Sequence, residues 1–305
     1  MATTTWDALF KGRTELIRKG LFGSVMIQDY TPAAALAFAA WTPFDPDTGL
    51  LNDLSTSLWQ DLGYLDDTGI SFAKKTAYSD STVWQSRDKV RSDATQDADT
   101  ATFTLMETRP TVEAIYHSLP LLGMPDIGST NYVYTKAKIP ALLFRSILFI
   151  GVDGSGDSVE YTVKLWPRAL MTAPNKYDWT AKSEAFWPVA FEPYPDANAG
   201  FAARTWRDGP GHRSHGPVTV SATPTVGAVT ATTAVVNWAS AAGGTAPYTY
   251  QVYTGGVLSN INNVSGTSGT VSGLTTNTVY NFTVRAKDSA FHQSGASTAV
   301  SGKTA

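Results

Sequence analysis

From Asp45 to Arg91 the chain shows almost no regular apolar periodicity, and this gap constrains its fold more than any motif does. Beyond it come a Thr-rich strand, Thr100–Glu107 (TATFTLME), a turn at Thr108-Arg109-Pro110, and an amphipathic run, Thr111–Leu119 (TVEAIYHSL). An ordered domain rarely keeps so long a segment without elements of its own unless that segment touches something else. Its large aromatics are Trp59, Tyr64, Phe72, Tyr78 and Trp84. The surface they could bury falls short of the backbone entropy lost on ordering the arm. The arm is therefore either disordered or completed by strand pairing and burial, for which another subunit is one source.

Composition narrows the function classes. A hydrophobic fraction of 43% and an aromatic fraction of 11% describe a well-packed protein. A net charge of −3 argues against an electrostatic nucleic-acid binder. There is no cysteine, which excludes disulfides, thiolate metal sites and Cys nucleophiles. The start carries Asp7, Lys11, Arg13, Glu15, Arg18 and Lys19 without an apolar run behind a basic region, so no secretory signal is expected. The longest apolar runs are Pro32–Trp41 and Ile139–Val152, the second broken by Arg145. Both are shorter than the roughly 20 residues that cross a bilayer. Synthesis and folding in a cytoplasm are expected.

Charge divides the chain in two. Residues 1–216 carry 20 Lys+Arg against 25 Asp+Glu, a balance of −5. Residues 217–305 carry Arg285, Lys287 and Lys303 against Asp288, a balance of +2. The Gly- and Pro-rich stretch Arg207–Pro217 reads as a linker. The expected division is a domain over 1–208, a linker over 209–217 and a second domain over 218–305.

The C-terminal piece offers short strands at even spacing: Ala234–Ala239, Tyr248–Tyr253, Gly269–Leu274, Val279–Ala286 and Ala296–Lys303. Trp238 late in an early strand, and Leu274 followed by Tyr280, Phe282 and Val284, resemble a fibronectin type III module. The resemblance implies a β-sandwich in which these residues are core. It makes Tyr280 the corner tyrosine, its hydroxyl bonded to upstream backbone. Such sandwiches serve many purposes, so this says little about function.

The N-terminal body reads as mainly β with one convincing helix. Ser158–Leu165 alternates, with Val159, Tyr161, Val163 and Leu165 on one face and Ser158, Glu160, Thr162 and Lys164 on the other. A Gly-rich turn, Asp153–Asp157, joins it to Ile139–Val152 as a hairpin. Thr100, Thr102 and Thr104 oppose Ala101, Phe103 and Leu105. Ser183–Glu192 is a further strand in which Pro188 marks an edge or bulge. Pro110 opens a short helix with Val112, Ile115, Tyr116 and Leu119 on its apolar face.

The body also resembles the major tail (tail tube) proteins of long-tailed actinobacterial phages. The matching residues are Leu62-Gly63-Tyr64, Asp67-Thr68-Gly69-Ile70, Trp84, Val90-Arg91, Thr102-Phe103-Thr104-Leu105, Glu107-Thr108 and Val112-Glu113, with Trp187–Asp196 as a final strand and turn. The resemblance implies a β-sandwich or barrel protomer with one flanking helix and a long extended arm. Such protomers form hexameric rings that stack into a tube for viral DNA, often with an immunoglobulin-like or fibronectin-like module outside. It implies a non-enzymatic virion protein, assembled in the host cytoplasm, without cofactor or metal. Its partners would be itself, the tape measure protein, the tail terminator and the distal tail or baseplate proteins. DNA would pass without sequence-specific binding, and the outer module could touch a host-surface glycan. Trp59, Leu62, Tyr64, Ile70, Phe72, Trp84 and Arg91 become candidates for contact with another subunit. Thr102, Thr104, Glu160 and Thr162 become candidates for the lumen. The role of Met1–Ile27 is left open.

Competing chemistries are thinly supported. His117 reads as packing or surface, His212 and His215 as a solvated linker without a third ligand, and Asp153–Asp157 and Asp45–Gly49 as turns rather than calcium loops. No P-loop, dinucleotide glycine pattern, nucleophile elbow or HExxH occurs. Glu184 with Glu192, or Asp66 with Asp67, could serve as glycosidase carboxylates. Since fibronectin-like modules accompany secreted polysaccharide-degrading enzymes, a carbohydrate-active enzyme or glycan-binding protein is the alternative.

Overall fold

The computed structural model describes residues 14–54, 58–136, 138–139, 141–172, 176–177, 184 and 186–305. The body is an antiparallel sheet of eight strands. They are β1 (Phe22–Asp29), β2 (Gln60–Asp61), β3 (Ser71–Val83), β4 (Ser86–Leu105), β5 (Arg145–Asp153), β6 (Glu160–Met171), β7 (Trp187–Pro193) and β8 (Arg204–Asp208). The order runs β2-β1-β5-β6-β7-β4-β3, with β8 also paired to β6.

The sheet closes on itself through one short segment. Gln60 and Asp61 pair with Ile27 and Met26 of β1. A few residues later Leu65 bridges to Leu105, while Asp66 donates its N–H to Thr104 and Tyr64 accepts from Met106. Gln60–Asp66 therefore seals β1 to β4 and leaves no open edge at the seam. Val25, Ile27, Leu62, Phe103, Ile147, Phe149, Trp166, Trp187 and Phe191 form the core within.

A second apolar layer covers the outside of β5 and β6. Phe38, Phe44 and Trp59 lie against Leu148, Ile150, Val163 and Leu165. Both faces of β5 are thus buried, with Ile147 and Phe149 in one cluster and Leu148 and Ile150 in the other. This explains its continuous apolar run. Two helices frame the barrel. In α1 (Pro32–Ala37), Thr31 Oγ1 caps the Ala34 N–H at 3.1 Å. In α2 (Pro110–Tyr116), Val112, Ala114 and Ile115 are buried. The latter is the expected helix, ending at Tyr116 because Ser118 takes φ +54°.

The structure corrects several expectations. The Asp45–Arg91 segment is not featureless: its second half is a β3–β4 hairpin whose pairing runs from Ser71↔Thr102 to Val83↔Ser86. Strand pairing within one chain supplies what its aromatics lack. Trp59 and Leu62 were candidates for contact with another subunit, yet both belong to this chain's own interior. Trp59 is 8% exposed and stacks on Phe38 at 5.7 Å, and Leu62 is fully buried. The stretch 209–217 is not a solvated linker. It contains α3 (Pro210–Ser214), and a Cβ on Gly211 would strike the Ser158 carbonyl. The glycine there serves close packing, not mobility.

The second domain packs two antiparallel sheets. Three strands, β9 (Thr225–Val229), β10 (Thr233–Asn237) and β13 (Ser268–Ser272), form one in the order β13-β10-β9. Four more, β11 (Thr249–Thr254), β12 (Val257–Leu258), β14 (Val279–Lys287) and β15 (Val300–Lys303), form the other in the order β12-β11-β14-β15. Trp238, Leu274, Phe282 and Val284 are buried in its core, with Tyr280 packed partly against it. Thr275 donates its N–H to Tyr280 Oη at 2.9 Å, the corner bond anticipated from sequence.

Candidate functional site

The β3–β4 hairpin is the part of the body with least reason to exist in an isolated chain. From Ala101 onward β4 pairs with β7, but among the described residues Ser86–Thr100 pairs only with β3. At about 3.3 Å per residue this leaves a ribbon projecting roughly 45 Å, with no further strand on either edge among the described residues. Its outer half buries almost nothing. Tyr78 and Val90 are exposed, and Trp84 at the tip is 99% exposed. Two-stranded ribbons are marginally stable in water, and open edges invite pairing.

The backbone ladder sets the ribbon's register, and exposed ion pairs decorate it. Lys74 meets Asp97 at 3.0 Å, Lys89 meets Asp80, and Arg91 meets Asp93 at 2.7 Å. The Lys89 ammonium and the Ser92 hydroxyl hold Asp80 below the usual carboxylate range. The Asp97 carboxylate raises Lys74. Arg91, one of the candidate contact residues, meets Asp93 on its own strand and stays largely exposed. Shifts of register after Ala77, Ser81 and Thr82 add local twist near the tip.

At its root the ribbon is anchored. Phe72 packs edge-on against Phe149 at 5.1 Å and Trp166 at 6.3 Å, with Lys164 Nζ over its ring at 3.9 Å. Ile70 packs partly against the barrel core. Glu107 Oε1 accepts the Tyr64 N–H at 2.7 Å, and Arg109 ion-pairs with Glu107. Gly63 sits at φ +78°, where a Cβ would collide with the Glu107 carboxylate. Leu62-Gly63-Tyr64 and Glu107-Thr108, separate in sequence, are thereby one seam. Tyr64 itself points outward.

A second exposed surface, which the sequence reading missed, follows α2. Leu122 (88% exposed), Ile127, Val133, Ile139 and Leu142 all face outward between α2 and β5. Tyr132 and Tyr134 pin this connection to α2 by donating to Glu113. Burial and then that carboxylate raise the Tyr132 phenol. His117 lies among Tyr116, Tyr134 and Trp187, and burial lowers its pKa. The outward apolar groups occur singly along an irregular segment, so no periodicity reveals them.

The lumen candidates do not share one surface. Thr102 and Thr104 lie on β4 beside β7. Glu160 and Thr162 lie at the far end of β6, beside β5 and β8. Glu160 is not free: Arg18 Nε approaches it at 2.9 Å and His215 Nε2 at 3.0 Å. It is withdrawn as a lumen residue, and His215 is correspondingly not a solvated linker histidine. Among the described residues no group of three or more His, Cys, Asp or Glu could hold a metal. No helix of the described residues is long and apolar enough to cross a membrane.

Comparison with known proteins reaches only part of the chain. No family model matches the chain. Chitinase A1 of Niallia circulans is 42% identical over 78 residues, 26% of this chain and 11% of that protein. Chitinase Chi52 of Paenibacillus xylanexedens is 39% identical over 85 residues, 28% of this chain and 16% of that protein. The chain thus spans under a fifth of either relative. Among solved structures, the Yersinia enterocolitica family 28 exopolygalacturonase aligns over 28% of this chain and 20% of that one. At 21% identity and a TM-score of 0.23 that likeness carries no argument.

Proposed function

We propose that this chain is a non-enzymatic structural protein that assembles into stacked rings, building the tail tube of a long-tailed phage. The single observation carrying this reading is the projecting hairpin, a ribbon with two open edges and a bare Trp84 at its tip. A second copy of the chain can complete those edges. The sealed barrel, the flanking helix and the resemblance over Leu62–Glu113 support the same reading. In it, DNA passes through the lumen without sequence-specific contact, and tape measure, terminator and distal tail proteins cap and fill the tube. Thr102, Thr104 and Thr162 remain the lumen candidates, and Tyr64, Trp84 and Arg91 the contacts between copies.

A second reading rests on the chitinase matches. Their lengths, 78 and 85 residues, are close to that of the domain over 218–305. This favours a fibronectin type III-like accessory module shared with carbohydrate-active proteins, and matches of this length leave most of the chain unaddressed. The test is sedimentation of the parent chain beside one in which Thr76–Asp97 is replaced by an Asn-Gly turn. The tube reading expects large assemblies from the parent and folded monomers from the shortened chain. Equal assembly by both chains, or hydrolysis of chitin by the parent, would overturn it.

A further inference from the structure

The two domains meet through a polar joint centred on Arg213 of α3. Its Nε and Nη2 donate to the Asp208 carboxylate at 2.6 and 2.8 Å. Its Nη1 reaches the Asp47 carbonyl at 2.9 Å and Gln293 Oε1, in the C-terminal domain, at 3.0 Å. Nη2 also donates to the Pro46 carbonyl at 3.2 Å. The guanidinium is mostly enclosed, and its rigid fork suits several fixed acceptors at once.

The Asp45–Gly49 turn is the other half of this joint. Asp45 Oδ1 accepts the N–H groups of Asp47 and Thr48 at 2.9 and 2.7 Å, which fixes the turn. Asp47 then projects its carboxylate into the C-terminal domain, accepting from Asn262 and Asn263, each at 2.8 Å. Nearby, Arg285 donates to Asp157 at 2.7 Å and Lys287 to the Pro46 carbonyl at 3.4 Å.

Two further facts give this contact a direction. Gln251 and Tyr253 alternate with the core residues Tyr250 and Val252, so they belong to the outer face of the four-stranded sheet; both are nevertheless buried. That face is covered. Of the four charged side chains in residues 217–305, Arg285 and Lys287 reach the acidic body and Asp288 is buried beside them. Only Lys303 lies at the opposite end of β14. The strands of the other sheet (TVGAV, TAVVN and SGTVS) carry no charge at all.

We propose that Arg213 and Asp47 form a latch that holds the C-terminal domain in one orientation on the barrel. The four-stranded sheet faces the body, and the uncharged, hydroxyl-bearing three-stranded sheet faces outward. The domain is then a fixed fin and not a tethered bead, whether or not the chain builds tubes.

The absence of native cysteine makes a direct test simple. Spin labels at Asp67→Cys and Ser272→Cys, in chains diluted with unlabelled protein, report the distance between the two domains. One narrow distance peak is expected for the otherwise unaltered chain. Asp47→Ala with Arg213→Ala should broaden it severalfold. Asn262→Ala with Asn263→Gly, at exposed positions and with a glycine suited to the φ of +54° that Asn263 takes, should broaden it as well. A broad distribution without these changes, or an unchanged narrow one in the Asn262/Asn263 variant, would overturn the latch.

Discussion

Single residues separate what holds the chain together from what it offers to others. Trp59 and Trp84 look alike in sequence and differ completely in role. Trp59→Ala is expected to destabilise the isolated chain by about 3–5 kcal/mol, through loss of buried ring surface against Phe38. Trp84→Ala should leave denaturant unfolding of the isolated chain unchanged and reduce assembly. Arg145, which breaks an otherwise apolar run, is 3% exposed and ion-paired with Asp29. Burial lowers its pKa to about 10, still well above neutrality. Arg145→Ala empties a buried site and leaves the Leu119 carbonyl without its guanidinium donor, so it should cost about 2–3 kcal/mol in equilibrium unfolding, while the partly exposed Asp29 keeps its bond from the Leu121 N–H. Asp47 gives a pH dependence. The Asn262 and Asn263 amides hold its carboxyl below the ordinary 3.8, helped by the Lys287 and Arg213 charges and opposed by burial. Its contribution to the joint is therefore complete above that ordinary value and is lost as pH falls through the depressed one. The interspin distance should stay narrow at neutral and mildly acidic pH and broaden only in strong acid.

At the scale of elements, the hairpin decides the functional reading, and it was the least legible part of the sequence. Ser71–Val83 and Ser86–Thr100 are polar on both faces, so no period of two betrays a strand. Their order comes from pairing with each other, which local composition does not encode. The helix at Pro110, by contrast, was readable because Val112 and Ile115 must both meet the barrel. The turn over Asp153–Asp157 was readable from Gly154 and Gly156, which take φ +76° and +56°. Strand β9 escaped notice because Thr225–Val229 is short and half exposed. The stretch 209–217 misled for a different reason: its glycines mark close packing, which composition cannot distinguish from flexibility. Replacing Thr76–Asp97 with a two-residue turn should leave the barrel's thermal midpoint within a few degrees of the parent value. A collapse of the midpoint would make the ribbon part of the barrel's own stability.

For the whole molecule, the two domains divide the work. The barrel closes its own seam through Gln60–Asp66, and the ribbon and the apolar groups beyond α2 are among the surfaces it leaves unsatisfied, with Ile17 and Phe22 also exposed. The C-terminal sandwich turns an uncharged face away from the body. Deleting residues 218–305 is therefore expected to preserve assembly and thin the particles from outside, while exposing the Asp45–Gly49 turn. The candidate surfaces were only partly visible beforehand, since Trp84 and Tyr64 were named from sequence while Leu122, Val133 and Ile139 were not. Electron microscopy of the purified full chain across a range of concentrations tests self-assembly most directly. Stacked rings with an open lumen, joined by density for the ribbon and carrying the second domain outside, are the expected result. Compact single particles at every concentration would contradict it.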